Sequence, residues 1–148
     1  MNITELKRKK MPEAWFTFDT KTGVELKLGY LSPADYAKRL ESCSEVINGN
    51  TRLNQEKVRE AMAELILDWR GMTLGKVAEL VTIDIPEGQE QTAVPCTKEN
   101  KLAILADAWG FKEFVNETVT KLVEFITAER EERRKNSLPS LNGSSAEA

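Results

Sequence analysis

A phosphate-binding loop needs glycines at a fixed spacing before a lysine, so that backbone N–H groups can cradle the phosphates. Gly71-Met72-Thr73-Leu74-Gly75-Lys76 comes nearest to that pattern but lacks the glycine spacing, so it is a chance near-match. Acid–base and nucleophilic catalysis both lean on histidine, and the chain contains none. Nor is there a Gly-x-Ser-x-Gly elbow, and nothing points to a Ser–Lys dyad. A carboxylate pair would have to sit close together in a partly dry pocket. The acids here are scattered on polar faces, and only Asp68, beside Trp69, adjoins a large apolar group near an expected helix end. The two cysteines, Cys43 and Cys96, are far apart and form no CxxC pair. Without histidine they make a poor zinc set, because structural zinc takes four ligands. The expectation is a protein with no catalytic, cofactor-binding or metal site, and with both thiols reduced.

A chain of 148 residues fits one domain, and 41% hydrophobic with 30% charged residues allows a core in a soluble particle. The net charge of −3 gives no general attraction for phosphate backbones, so nucleic acid is not the expected partner. No apolar run approaches the roughly 20 residues that span a bilayer, so no membrane association is expected. The basic run Lys7-Arg8-Lys9-Lys10 leads into Pro12 and Glu13 rather than an apolar segment, so it is not a signal peptide; it reads as a solvated tail, with contact to an acidic partner or nucleic acid as the alternative.

The expected layout is α+β and mainly α: an N-terminal β-hairpin followed by about four helices, the last one long. Residues 1–12 are a flexible basic lead-in, 13–135 a single mainly helical domain, and 136–148 a polar tail expected to be disordered. Trp15-Phe16-Thr17-Phe18-Asp19 and Val24-Glu25-Leu26-Lys27-Leu28 flank a polar, glycine-containing link and read as the hairpin. Ser32-Pro33 opens a helix carrying Tyr36, Leu40, Cys43 and Ile47, which Asn48-Gly49-Asn50 stops. Asn54 caps a second helix whose stripe is Val58, Ala61, Met62, Leu65, Ile66 and Trp69, ending at Arg70-Gly71. Residues 72–96 have two readings: short strands at Val81–Ile85 and Gln91–Val94, or a helical turn or two over Leu74–Val81. Thr97 caps a third helix that buries Leu102, Leu105, Ala106 and Trp109. Gly110 breaks or kinks it before a long final helix, supported near its end by pairs such as Glu129 with Arg133.

Several short segments, in order, resemble a family. Leu65-Ile66-Leu67-Asp68-Trp69-Arg70-Gly71-Met72 is similar to an "I-x-x-W-x-G-V" segment, and Pro95-Cys96-Thr97-Lys98-Glu99-Asn100 to "P-[CF]-[ST]-x-E-N". Phe111-Lys112-Glu113-Phe114-Val115 matches the aromatic final helix. Ala14-Trp15-Phe16, Gly23-Val24-Glu25-Leu26 and Tyr30-Leu31-Ser32-Pro33 match the opening. Together, over about residues 14–127, they resemble the tail assembly chaperones of long-tailed phages and prophages. The connection from Met72 to Val94 is longer than is usual in that group. The resemblance implies a non-enzymatic protein of the bacterial cytoplasm that keeps a tape-measure or tail-tube protein soluble during tail assembly. The alternatives are a minor tail or completion protein retained in the virion and, resting only on the acid count, a small carboxylate-dependent hydrolase.

Two expectations concern side chains. Val58, Met62, Leu65, Trp69, Leu102, Leu105, Val119 and Leu122 are expected to share the core. The final helix bears Phe111, Val115, Val119, Leu122 and Ile126 on one stripe, widened by Phe114 and Phe125. So wide an apolar arc predicts a partner-binding surface at Phe111, Phe114, Val115 and Phe125, covered by a second copy or by a helical segment of the tape-measure protein. The competing reading folds the hairpin Trp15–Leu28 over the same rings.

Overall fold

The alternation of Ala14, Phe16 and Phe18 against Val24, Leu26 and Leu28 sets the first pairing. The computed structural model describes residues 1–137. After a 3-10 turn at Ile3–Glu5, β1 (Glu13–Asp19) and β2 (Val24–Gly29) form the expected antiparallel hairpin. Lys21 N–H donates to the Asp19 carboxylate and Gly23 N–H to the Asp19 carbonyl, closing the turn. Helix α1 (Pro33–Ser42) starts as anticipated, with the Ser32 hydroxyl accepting from Asp35 N–H and proline in the first turn.

From there the chain departs from the expected layout. Ile47 is not helical: β3 (Ser44–Ile47) and β4 (Asn50–Leu53) form a second hairpin. Its turn holds Asn48 at φ 52° and Gly49 at φ 81°. Positive φ at both central residues is the two-residue turn that matches strand twist, and Asn-Gly is its preferred pair. What reads as a helix stop is a hairpin signal.

Helix α2 (Gln55–Glu64) is capped by the Asn54 side chain, which accepts from Lys57 N–H, but it ends earlier than its apolar stripe. Ile66 and Trp69 lie on β5 (Ile66–Arg70), antiparallel to β2, giving a three-stranded sheet of order β1-β2-β5. A bulge explains why a helical spacing fits a strand. Leu28 pairs with Ile66 and Lys27 with Asp68, so Leu67 is the extra residue and stands exposed. Ile66 and Trp69, three apart, then both face the core. The strand wins because β2 has apolar residues and an unpaired edge at this place, and pairing satisfies backbone groups that a longer helix would leave to water.

Residues 72–96 form no sheet strand. Thr73 caps a single helical turn, α3 (Leu74–Val77), and an isolated bridge joins Thr73 to Ala93. Of the two readings the helical turn is the correct one. Val81 is buried but Ile83 is exposed, since an alternating run with no partner strand has nothing to pair with. Helix α4 (Lys98–Asp107) is capped by Thr97 as expected. The expected long final helix is two: α5 (Trp109–Thr118) and α6 (Leu122–Ser137). Asn136 and Ser137 therefore close a helix, and the rest of the expected tail lies outside the described residues.

The core lies between one face of the three-stranded sheet and α2, α4, α5 and the start of α6. Met62, Leu65, Trp69, Leu105 and Val119 are buried in it as expected. Val58 and Leu102 are half-buried, Ala106 is exposed, and Leu122 is exposed because the α5–α6 break turns it away from the stripe. No described helix is long and apolar enough to cross a membrane.

Candidate functional site

Most of the aromatic surface expected on the long final helix is core instead, and of its residues Phe114 alone keeps partial exposure. Phe111, Val115 and Phe125 are fully buried and Phe114 is half-buried. Phe125 meets Phe16 edge-on at 4.8 Å and Tyr30 at 5.7 Å, while Phe18 meets Phe111 at 5.5 Å and Phe114 at 5.3 Å. The hairpin folds over the rings, as the competing reading had it. The wide arc is absorbed because two helices at an angle present it to a twisted sheet, which one straight helix could not do.

The residues singled out for chemistry have structural roles. The Asp68 carboxylate accepts from the Trp69 backbone N–H at 2.8 Å. Gly71 follows β5 at φ +78°, and Lys76 donates to the Thr22 carbonyl, so neither belongs to a phosphate cradle. Trp69 Nε1 donates to the Val94 carbonyl at 2.7 Å and Lys101 Nζ to the Ile66 carbonyl at 2.9 Å, which ties the long connection and α4 to β5. On the sheet's other face, the Arg70 guanidinium lies 4.0 Å over the Trp15 ring and bonds Glu25. Among the described residues no group of three or more potential ligands could hold a metal.

Both cysteines are free, Cys43 buried and Cys96 half-buried. Burial pushes the Cys96 thiol above its ordinary 9.0; Lys101 pulls it partly back and Asp68 adds to the rise. The thiolate is the reactive form, so native Cys96 should react with an aromatic disulfide reagent at pH 8 several-fold more slowly than in the urea-unfolded chain (about three-fold or more). Equal rates would contradict it. The unfolded thiol ionises first, so above about pH 9 the unfolded state binds fewer protons and stability falls as pH rises.

Among the described residues several apolar side chains stand open, three groups of them on the α-helices and the second hairpin. The first is an arm made of α1 and the β3–β4 hairpin. No residue of α1 is buried, and all of β4 is exposed. Val46, 70% exposed, and Leu53 share one face of the hairpin, with Tyr36 and Leu40 one turn apart on α1. The arm is tied to the body by Arg39, which donates to the Ala61 carbonyl and pairs with Glu64, and by Asn54 N–H donating to the Cys43 carbonyl. An apolar slot of about 70 Å³ remains between α1 and α2, floored by Cys43, Met62, Leu65 and Val119. The second place is Trp109, expected in the core but 82% exposed at the start of α5. Ala108, not Trp109, fills the buried position, because the helix breaks there. The third is Leu122, Val123 and Ile126 on α6. The Asn48-Gly49 pair was the one sequence signal that could have located the arm. Comparison with protein-family models, with curated proteins and with solved structures gives no match.

Proposed function

We propose that this is a non-enzymatic protein-binding chaperone of the phage tail assembly type, working in the bacterial cytoplasm on a tape-measure or tail-tube protein. The observation that carries the reading is the arm. A two-stranded hairpin is marginal in water unless something covers it, and this one presents Val46 and Leu53 outward beside a helix with no buried residue. Such a surface suits an extended or helical apolar segment that must be kept from aggregating. The order of motifs along the chain supports the same reading. The aromatic residues expected to meet the partner are replaced by Tyr36, Leu40, Val46 and Leu53.

The test is co-purification with tape-measure and tail-tube proteins encoded beside the gene. Val46→Ser with Leu53→Ser removes two exposed side chains, so stability should change by no more than about 0.5 kcal/mol per site, while partner capture is lost. An unchanged capture, or flanking genes without tail proteins, would sink the proposal. Mass spectrometry of purified particles adds a second check: a chaperone should be missing from mature tails, and stoichiometric presence would identify a structural tail protein instead.

A further inference from the structure

The basic lead-in, read from sequence as a solvated tail, does not stand alone. Its chain is held against the body where Tyr30 N–H donates to the Pro12 carbonyl at 3.0 Å. It forms one wall of a cleft of about 780 Å³ whose other wall is α6. Arg8, Lys9 and Lys10 line it from one side, Arg130 and Arg133 from the other, and Lys27 from β2. Among the described residues the lining holds two carboxylates, Glu13 and Glu129, against six cations, four net positive charges in a chain whose total is −3. Lys27 is matched by Glu13 at 3.7 Å. Among the described residues the five other cations have no carboxylate within 4 Å. Even the expected Glu129–Arg133 pair is absent, and the helix pair is Glu131–Arg134.

The cleft is also apolar at one end. Leu122, Ile126, Glu129 and Arg133 follow one another at i, i+4, i+7 and i+11, so one stripe of α6 turns from aliphatic to charged along its length, with Arg130 beside it. Met11 also lines the cleft. The neighbouring stripe of α6 is already used: Phe125 is buried and Ala128 packs on the core, while Glu132 reaches Arg70 at 3.9 Å.

We propose that this cleft docks an acidic amphipathic helix of a partner protein, whose apolar residues lie on Leu122, Ile126 and Met11 and whose carboxylates meet Arg130, Arg133, Lys9 and Lys10. A nucleic-acid groove would offer exposed aromatic faces for bases to stack on; the aromatic ring in this lining, Tyr30, is half-buried and packed edge-on against Phe125. Anionic membranes are met by protruding basic faces, and this one is concave. The surface is separate from the arm, so the inference does not depend on the arm's partner.

The test uses the full chain and a fluorescein-labelled amphipathic peptide of about 18 residues, long enough for five helical turns, with leucines on one stripe and glutamates beside it. Anisotropy should report saturable binding that weakens several-fold as salt rises from about 50 to about 500 mM. Arg130→Glu with Arg133→Glu, and separately Lys9→Glu with Lys10→Glu, should each weaken it about tenfold or more. Ile126→Ser should weaken it too, and Val46→Ser with Leu53→Ser should not, which separates failure here from failure of the arm. The lead-in variant touches no core residue, so it decides the matter if the α6 variant does not fold. A scrambled peptide of the same composition binding equally would reduce the site to ion exchange and overturn the proposal. So would an oligonucleotide of equal charge or phosphatidylserine vesicles binding as tightly, or no binding by the peptide.

Discussion

Replacing Phe111 by alanine is expected to cost about 3–5 kcal/mol, the usual range for a buried phenylalanine. The ring is fully buried where α5 crosses the sheet, and it touches Phe18 at 5.5 Å and Trp69 at 6.5 Å, both edge-on. Its removal leaves a cavity between two strands and a helix, and the backbone of a hydrogen-bonded sheet can relax into it only in part. A domain of this size holds roughly 5–15 kcal/mol in all, so the variant should sit near the edge of folding at 25 °C. Urea unfolding followed by tryptophan fluorescence measures it, and Phe114→Ala provides the scale. Phe114 is half-buried and meets the Phe18 ring alone among the described aromatic residues, so its loss should cost about 1–2 kcal/mol. A Phe111 effect below that of Phe114 would mean that the partner-surface reading of this helix was right after all.

Replacing Gly71 by alanine should cost about 2–4 kcal/mol, more than any alanine at the other glycine turns. Gly71 has φ +78°, where an L side chain costs about 1–2 kcal/mol. A Cβ there would also come to 2.8 Å from the Gly23 carbonyl oxygen, which is backbone and cannot rotate aside. The β1–β2 turn and the exit of β5 lie one against the other at this point, so the clash pushes β5 off β2. Gly23 is the control. It has φ +76° but nothing within 4 Å of its Cβ position, so Gly23→Ala should show only the conformational cost of about 1–2 kcal/mol. Equal losses at the two positions in thermal unfolding would show that the close approach has no energetic weight.

Some elements were legible because their causes are local. The Ser32, Asn54 and Thr97 caps each close on an N–H three residues ahead, so the residue types alone place the helix starts. The first hairpin is equally plain, since its two alternating runs are adjacent and its turn carries a glycine. Helix ends were less legible. Leu65, Ile66 and Trp69 suit a helical stripe, and they suit a bulged strand just as well. Only the presence of β2's open edge chooses between them. Asn48-Gly49 is similar: the pair can end a helix or turn a hairpin, and the choice depends on whether the flanking residues find each other.

For function, the sequence by itself determined what is absent from the chain, a histidine above all, and which residues carry charge. It could not say that Arg8, Lys9 and Lys10 face Arg130 and Arg133, because those residues come from opposite ends of the chain and meet only when α6 packs along β1. Nor could it say which apolar residues would remain open. Phe125 and Val123 both lie on the apolar early part of one helix. One is fully buried and the other 75% exposed, because burial is a property of the facing element and not of the residue. The tertiary structure decided this by supplying the β1–β2 hairpin as the cover for the aromatic rings and nothing as the cover for the arm.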